Sequence, residues 1–276
     1  MPSTENTAQQ YPCECCGYYT LAAPPPGTDQ QCMICGWIDY KFYWNDDDLG
    51  FEYYLGELRF GQEQFQQHGA CDEKYIGKVR PISLNDRRVV GFKTINQQCR
   101  EASQKVLKRI DAAFCDVKRG NGRTLHQALA IDGHKDSETI EAAKEKDTDE
   151  RWQDIPDEVV ARLDIALTYM DFEGFRYYLP AYLSFALRYC VDKGPPSLIP
   201  DGFILWLGSP ESPYRHVYYD FVLALEPEQL HAVHDFLAYA ASDFERGGMD
   251  GADAYASFVK RFGRWGNIEA EFDNSA

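Results

Sequence analysis

The sequence predicts an α+β chain in two parts: a small cysteine-clamped domain over residues 1–95, then a mainly α-helical domain over residues 96–276. Three observations predict this. Five of the nine cysteines crowd between Tyr11 and Tyr40. From Gln97 onward, apolar residues recur at the 3.6-residue spacing of amphipathic helices. A length of 276 residues suits one or two domains.

The cysteines set the first domain. Cys13 and Cys16 form one C-x-x-C pair, and Cys32 and Cys35 form a second. Two such pairs on two tight turns can bring four thiolates to one tetrahedral ion, so the spacing predicts a zinc-ribbon-like fold with these four as zinc ligands. Gly17 and Gly36 each follow a pair, where a positive φ lets backbone amides turn toward the sulfurs. Such a zinc site holds a fold together and does no chemistry of its own. Cys15 is the extra sulfur: a buried or outer neighbour of the site, a substitute ligand for Cys13, or a redox-active thiol. Cys71 reads as a core residue.

Short strands are expected to flank each knuckle, carrying Tyr18, Tyr19, Leu21, Trp37, Ile38 and Tyr40, with Pro24 to Gly27 as the connecting loop. Asp46, Asp47 and Asp48 after Trp44 read as a solvated acidic loop, because their spacing does not fit a calcium-binding EF-hand. Glu52 to His68 reads as a helix, with Leu55, Leu58, Phe60 and Phe65 as its apolar positions and Gly69 as its C-cap.

In the second domain, Gln97 to Phe114 places Ala102, Val106, Ile110 and Ala113 on one helical stripe. A short helix follows from Thr124, and another from Ser137, read as its N-cap, to Lys146. The next starts around Pro156, with Asp157 and Glu158 near the positive end of its dipole, and runs on past Leu163 and Ile165 to Leu167. Pro180 is read as opening a helix through Leu183, Ala186, Leu187 and Cys190, with Tyr177, Tyr178 and Tyr182 as aromatic surface. Phe203 to Leu207 is a short apolar run, and helices resume over 214–225, 227–244 and 252–262.

Two resemblances join this reading. Cys13-Glu14-Cys15-Cys16-Gly17, Cys32-Met33-Ile34-Cys35-Gly36-Trp37, Gly69-Ala70-Cys71-Asp72-Glu73 and Val79-Arg80-Pro81 together resemble the bacterial cysteine-rich CPCC domain family. Glu14 stands where that family has proline, and the usual acidic residue after the tryptophan is displaced to Asp39; no thiolate is lost. The resemblance implies a small protein of the kind found beside toxin genes. Leu125, Asp132, Trp152, Asp154-Ile155-Pro156 and Glu173-Gly174-Phe175-Arg176-Tyr177-Tyr178-Leu179-Pro180-Ala181 resemble a bacterial all-helical domain family with the hallmark F-R-x-Y-L-P-A. This second resemblance implies a fold class and limits near residues 100–240.

Composition narrows the function. A net charge of −16 argues against general phosphate-backbone binding and favours capture of a basic partner. The polar start and the want of a long apolar run lead us to expect a cytoplasmic protein outside the membrane. No phosphate-cradling loop, nucleophile elbow or HExxH is present. His231 and His234 share a helical face without an acidic partner at fixed spacing, and Arg176 reads as a structural ion pair. The expected function is therefore not enzymatic. We expect an immunity protein that covers the active site of a cognate, basic protein toxin, possibly a nuclease. Trp44, Asp46, Asp47, Asp48, Asp147, Asp149, Glu150 and Asp154 are its expected contact residues. The alternatives are a zinc-ribbon adaptor touching nucleic acid through Lys105 to Arg123, and an enzyme acting near Arg176.

Overall fold

The structure is a computed structural model that describes residues 9–40, 49–193, 220–222 and 224–242, with backbone alone at 49–56, 189–193 and 241–242. Trp44, Asp46, Asp47 and Asp48 lie outside the described residues, as do the apolar run 203–207 and the helix expected over 252–262. By internal contacts the chain divides into two units, Met1–Cys99 and Arg100–Ala276.

The first unit is built on the cysteines. Strand β1 (Tyr11–Pro12) pairs antiparallel with β2 (Tyr19–Leu21), Tyr11 opposite Leu21 and Pro12 opposite Tyr19. The second knuckle has only an isolated bridge, Gln31 to Ile38. Helix α1 (Leu49–His68) stops at Gly69, whose φ of 75° fits a glycine C-cap. Leu58 and Phe65 bury themselves with Trp37 and the cysteines, while Phe60 faces solvent. Gly61 lets the Trp37 ring lie against the α1 backbone, since a Cβ there would stand 3.2 Å from the indole. Gln62 is buried; its amide donates to the Glu14 carbonyl at 2.9 Å and its oxygen accepts the Ile95 N–H at 2.9 Å. One side chain therefore satisfies polar groups of both the first knuckle and the start of the next helix.

The second unit is mainly helical: α2 (Ile95–Phe114, its first turn counted in the first unit), α3 (Leu125–Asp132), α4 (Ser137–Ala143), α5 (Asp157–Arg162), α6 (Phe172–Lys193) and α7 (Pro227–Ser242). The buried stripe of α2 runs through Cys99, Ser103, Val106, Ile110 and Phe114. Ala102 faces solvent, because the larger side chains set the stripe and leave it at the edge. Asp136, not Ser137, caps α4: its carboxylate accepts the Thr139 N–H. Helix α5 ends at Arg162, so the continuous helix expected through Leu167 is broken into α5 and a 3₁₀ turn, Ala166–Tyr169.

Helix α6 corrects the sequence reading most. Pro180 does not open it; it lies at the ninth position of a 22-residue helix. The true start is fixed by Asp171, whose carboxylate accepts the Gly174 N–H at 2.9 Å. A proline inside a helix removes one backbone bond and costs about 3 kcal/mol. Here the surrounding core offsets that cost, since α6 is buried on nearly every side from Phe175 to Leu187. Tyr177, Tyr178 and Tyr182 are core, not surface: all are at most 2% exposed. Their hydroxyls find partners at the Asp149 carbonyl (3.4 Å), at the Asp149 carboxylate (3.4 Å) and at the Leu163 carbonyl (2.5 Å) respectively. Burial pushes all three phenols well above their ordinary range.

The hallmark residues around Glu173 have packing reasons. A Cβ on Gly174 would stand 2.5 Å from the Arg123 carbonyl oxygen, and a Cβ on Gly122 would stand 2.4 Å from the Gly174 nitrogen. The 119–124 loop thus crosses the start of α6 at backbone contact, which only glycines permit. Arg176 reaches Gln229 at 3.1 Å and Glu226 at 4.0 Å, tying α6 to the start of α7. Trp152 donates its indole N–H to the Phe114 carbonyl at the end of α2.

Candidate metal centre and a cavity in the helical unit

The two knuckles close in the same way. Gly17 donates to the Cys13 carbonyl (2.7 Å) and Cys13 to the Tyr18 carbonyl (2.8 Å). Gly36 donates to the Cys32 carbonyl (2.8 Å) and Cys32 to the Trp37 carbonyl (2.7 Å). Gly17 and Gly36 hold φ of 76° and 84°, the left-handed region that glycine enters without steric cost. Each is covered by an aromatic ring: a Cβ on Gly17 would meet Phe92 at 2.5 Å, and one on Gly36 would meet Tyr75 at 2.6 Å. The later chain also reaches back by backbone. Val89 donates to the Gly17 carbonyl, Tyr19 to the Arg87 carbonyl and Arg80 to the Met33 carbonyl, while the Arg88 guanidinium donates to the Cys16 carbonyl at 2.8 Å.

The sulfurs of Cys13, Cys16, Cys32 and Cys35 lie within 4.8 Å of one another, and all four residues are buried. Cys13 and Cys35 are 3.7 Å apart, as are Cys16 and Cys32, so each close pair joins one knuckle to the other. A tetrahedral ion with metal–sulfur bonds of about 2.3 Å needs sulfurs about 3.8 Å apart. The donor set therefore fits a metal ion in size, number and softness. Thr20 adds a hydroxyl donor to the Cys32 sulfur at 3.2 Å. Without a cation the cluster keeps protons: bonding to Cys16 and Cys32 pushes the Cys13 thiol far up, and bonding to Cys13 and its neighbours does the same to Cys35. Cys32 is pulled down by the neighbouring thiols, Cys13 first. A bound dication would let all four ionise together.

The further cysteines of this unit, Cys15, Cys71 and Cys99, do not belong to the set of four. Cys15 is buried in the same cluster as Cys35. Cys71 is buried at the end of α1 and donates its N–H to the Cys35 carbonyl at 2.7 Å. None of Cys13, Cys15, Cys16, Cys32, Cys35, Cys71, Cys99 and Cys115 is in a disulfide. Asp39, the displaced acidic residue, is buried and accepts from both the N–H (2.8 Å) and the hydroxyl (2.6 Å) of Thr28. It fixes the loop between the knuckles.

The acidic stretch of the second unit is part buried and part exposed. Asp147, Asp149, Glu150 and Asp154 line a cavity of about 630 Å³, whose wall includes His126 from α3 and Arg162 from α5. Asp147 is buried and clamps His126 twice, at the backbone N–H (2.9 Å) and at Nδ1 of the ring (2.8 Å). Arg119 donates to the Tyr178 hydroxyl (2.8 Å), the Asp147 carbonyl (3.3 Å) and the Asp149 carboxylate (3.5 Å). Asp147 and Asp149 are thus engaged internally, while Glu150 and Asp154 are exposed. His126 carried no local signal in the sequence, because its partner lies 21 residues away. Of the basic stretch, Arg109 pairs with Asp235 at 3.0 Å and Arg123 donates to the Tyr169 carbonyl. His234 is buried against Asp235.

No helix among the described residues is long and apolar enough to cross a membrane. No curated protein and no solved structure matches the chain. Two family models do: Cysteine-rich CPCC over residues 11–86, and a family of unknown function, DUF6714, over residues 102–259. The first spans both knuckles with Tyr75 and Arg80 but stops short of Arg87, Arg88, Val89 and Phe92; the second takes in the buried α6 and its glycine crossing, and covers more than half of the chain. With a cysteine-rich CPCC domain at its N-terminus, the chain belongs to the DUF6714 family.

Proposed function

We propose that this is a cytoplasmic binding protein, clamped by zinc, that acts as an immunity protein: it binds a cognate basic protein toxin and covers its active site. The observation that carries the partner's class is the net charge of −16, which steers association with a positively charged protein. Cys13, Cys16, Cys32 and Cys35 would hold the zinc. Four buried thiolates fill a tetrahedral shell and leave no position for substrate, which is the arrangement of a structural ion and supports binding over metal-centred catalysis. Glu150 and Asp154 remain as exposed acidic groups for the contact, whereas Asp147 and Asp149 serve by shaping the wall behind them.

The test is co-expression with a toxin encoded beside the gene. The reading expects the two proteins to co-purify and the toxicity to be relieved, with salt slowing capture. It fails if no complex forms and toxicity persists. For the clamp, elemental analysis of protein purified without chelator should find one zinc per chain; less than about half an equivalent sinks the four-thiolate site.

A further inference from the structure

The cavity of the helical unit is held more tightly than a packing gap requires. Capping the first turn of α3 needs only the backbone bond from His126 to Asp147 (2.9 Å). The second bond, 2.8 Å to Nδ1, fixes the ring as well. A carboxylate only accepts, so Nδ1 donates to Asp147 and the ring of His126 is held against the cavity that it lines. Arg119, donating to the Asp147 carbonyl, braces the clamp from behind.

The charges on the wall are unequal in their commitments. Asp147 is spent on His126, Asp149 on Arg119 and Tyr178, and Asp154 stands 3.8 Å from Arg151. Lys146 and Arg162 also line the cavity, are exposed, and form no ion pair with a described residue. That leaves Lys146 and Arg162 as the lining cations without an ion partner among the described residues, beside the exposed carboxylate of Glu150. Leu125, Ile155 and Val159 supply an apolar side to the same space. A concave site with an apolar wall, convergent polar groups and an oriented imidazole has the features of a small-ligand pocket.

We propose that this cavity binds a small organic oxyanion, a carboxylate or a phosphate ester. Its charge lies between Lys146 and Arg162, and its apolar body lies on Leu125, Ile155 and Val159, beside the His126 ring. This site needs no protein partner, so its fate is independent of the toxin reading.

The test uses the full chain with isotopically labelled histidine and follows the His126 ring signal, assigned by its loss in His126→Gln. Phenyl phosphate and benzoate are titrated at constant ionic strength, with phenol as the uncharged arm. At least one anion should move the signal saturably with a Kd below about 1 mM. Phenol and the Lys146→Ala/Arg162→Ala double variant should each bind about tenfold more weakly or worse. Saturation by phenyl phosphate alone assigns a phosphate ester, and by benzoate alone a carboxylate. The proposal is overturned if neither anion saturates below about 10 mM, if phenol binds as well as the anions, or if the double variant binds as tightly as the parent. Both substituted residues are exposed, and an unchanged far-ultraviolet circular dichroism spectrum confirms that the variant is folded.

Discussion

Gly174→Ala sets two effects against each other, and their sizes decide the sign. Alanine is the better helix former by about 1 kcal/mol, so helix propensity alone expects a gain in the first turn of α6. The new Cβ, however, would stand 2.5 Å from the Arg123 carbonyl oxygen, 2.9 Å from the Met170 sulfur and 3.0 Å from the Asp171 carboxylate. The sulfur can swing away. The carbonyl belongs to the 119–124 loop, and the carboxylate is the cap of α6 and also accepts the Arg123 N–H at 3.0 Å. Relief requires the loop to lift off the helix. Overpacking of this kind costs about 1–3 kcal/mol, and losing the cap adds about 1 kcal/mol. Net of propensity, the variant should lose about 2 kcal/mol, or roughly 4–8 °C in Tm for a unit of this size. The assay is thermal unfolding by far-ultraviolet circular dichroism, which the helical unit dominates. Gly133→Ala is the control: its backbone is not left-handed and its nearest contact is 3.4 Å, so it should stay within about 0.5 kcal/mol of the parent. A Gly174→Ala protein melting at or above the parent temperature refutes the crossing as the reason for that glycine.

Cys32→Ser removes one ligand and should strip the metal and unfold the first unit, while the helical circular dichroism signal of the second largely persists; metal analysis with tryptophan fluorescence reads both. Tyr182→Phe leaves the buried Leu163 carbonyl without its 2.5 Å donor and should cost about 1–3 kcal/mol in urea unfolding; a neutral result means that the carbonyl finds another partner. Asp136 accepts the Thr139 N–H, which holds its carboxyl below the ordinary 3.8. A depressed pKa stabilises the fold above that value and loses the effect as pH falls through the folded one. Tm of the parent should therefore drop more steeply than that of Asp136→Ala as pH falls below about 4, and parallel curves would refute this role for the cap.

What the sequence disclosed and what it hid follow from range. The four sulfurs were legible because two C-x-x-C turns fix them within a few residues each, and the positive φ of Gly17, Gly36 and Gly69 follows from local turn geometry. Helices α1 and α2 were legible from periodicity. The start of α6 was not: Pro180 is the stronger local signal, and Asp171 reveals itself as a cap only beside Gly174. Tyr177, Tyr178 and Tyr182 looked like surface because a tyrosine can sit on either side of it. Their burial depends on Arg119, Asp149 and Leu163, contributed from elsewhere in the chain. For the same reason Asp147 read as one charge in an acidic run, when it is the buried clamp on His126.

The rings over the knuckle glycines bear on the order in which the chain is made. All four sulfurs have left the ribosome once residue 35 is out, yet Tyr75 and Phe92, the covers of the two turns, come 40 and 57 positions after Cys35. A nascent chain could hold an ion early, but its turns stay open to water and to competing thiols until the second cover arrives. The shortest fragment that protects its metal should thus end beyond Phe92, and one cut after α1, with every ligand present, should surrender its ion to a mild chelator.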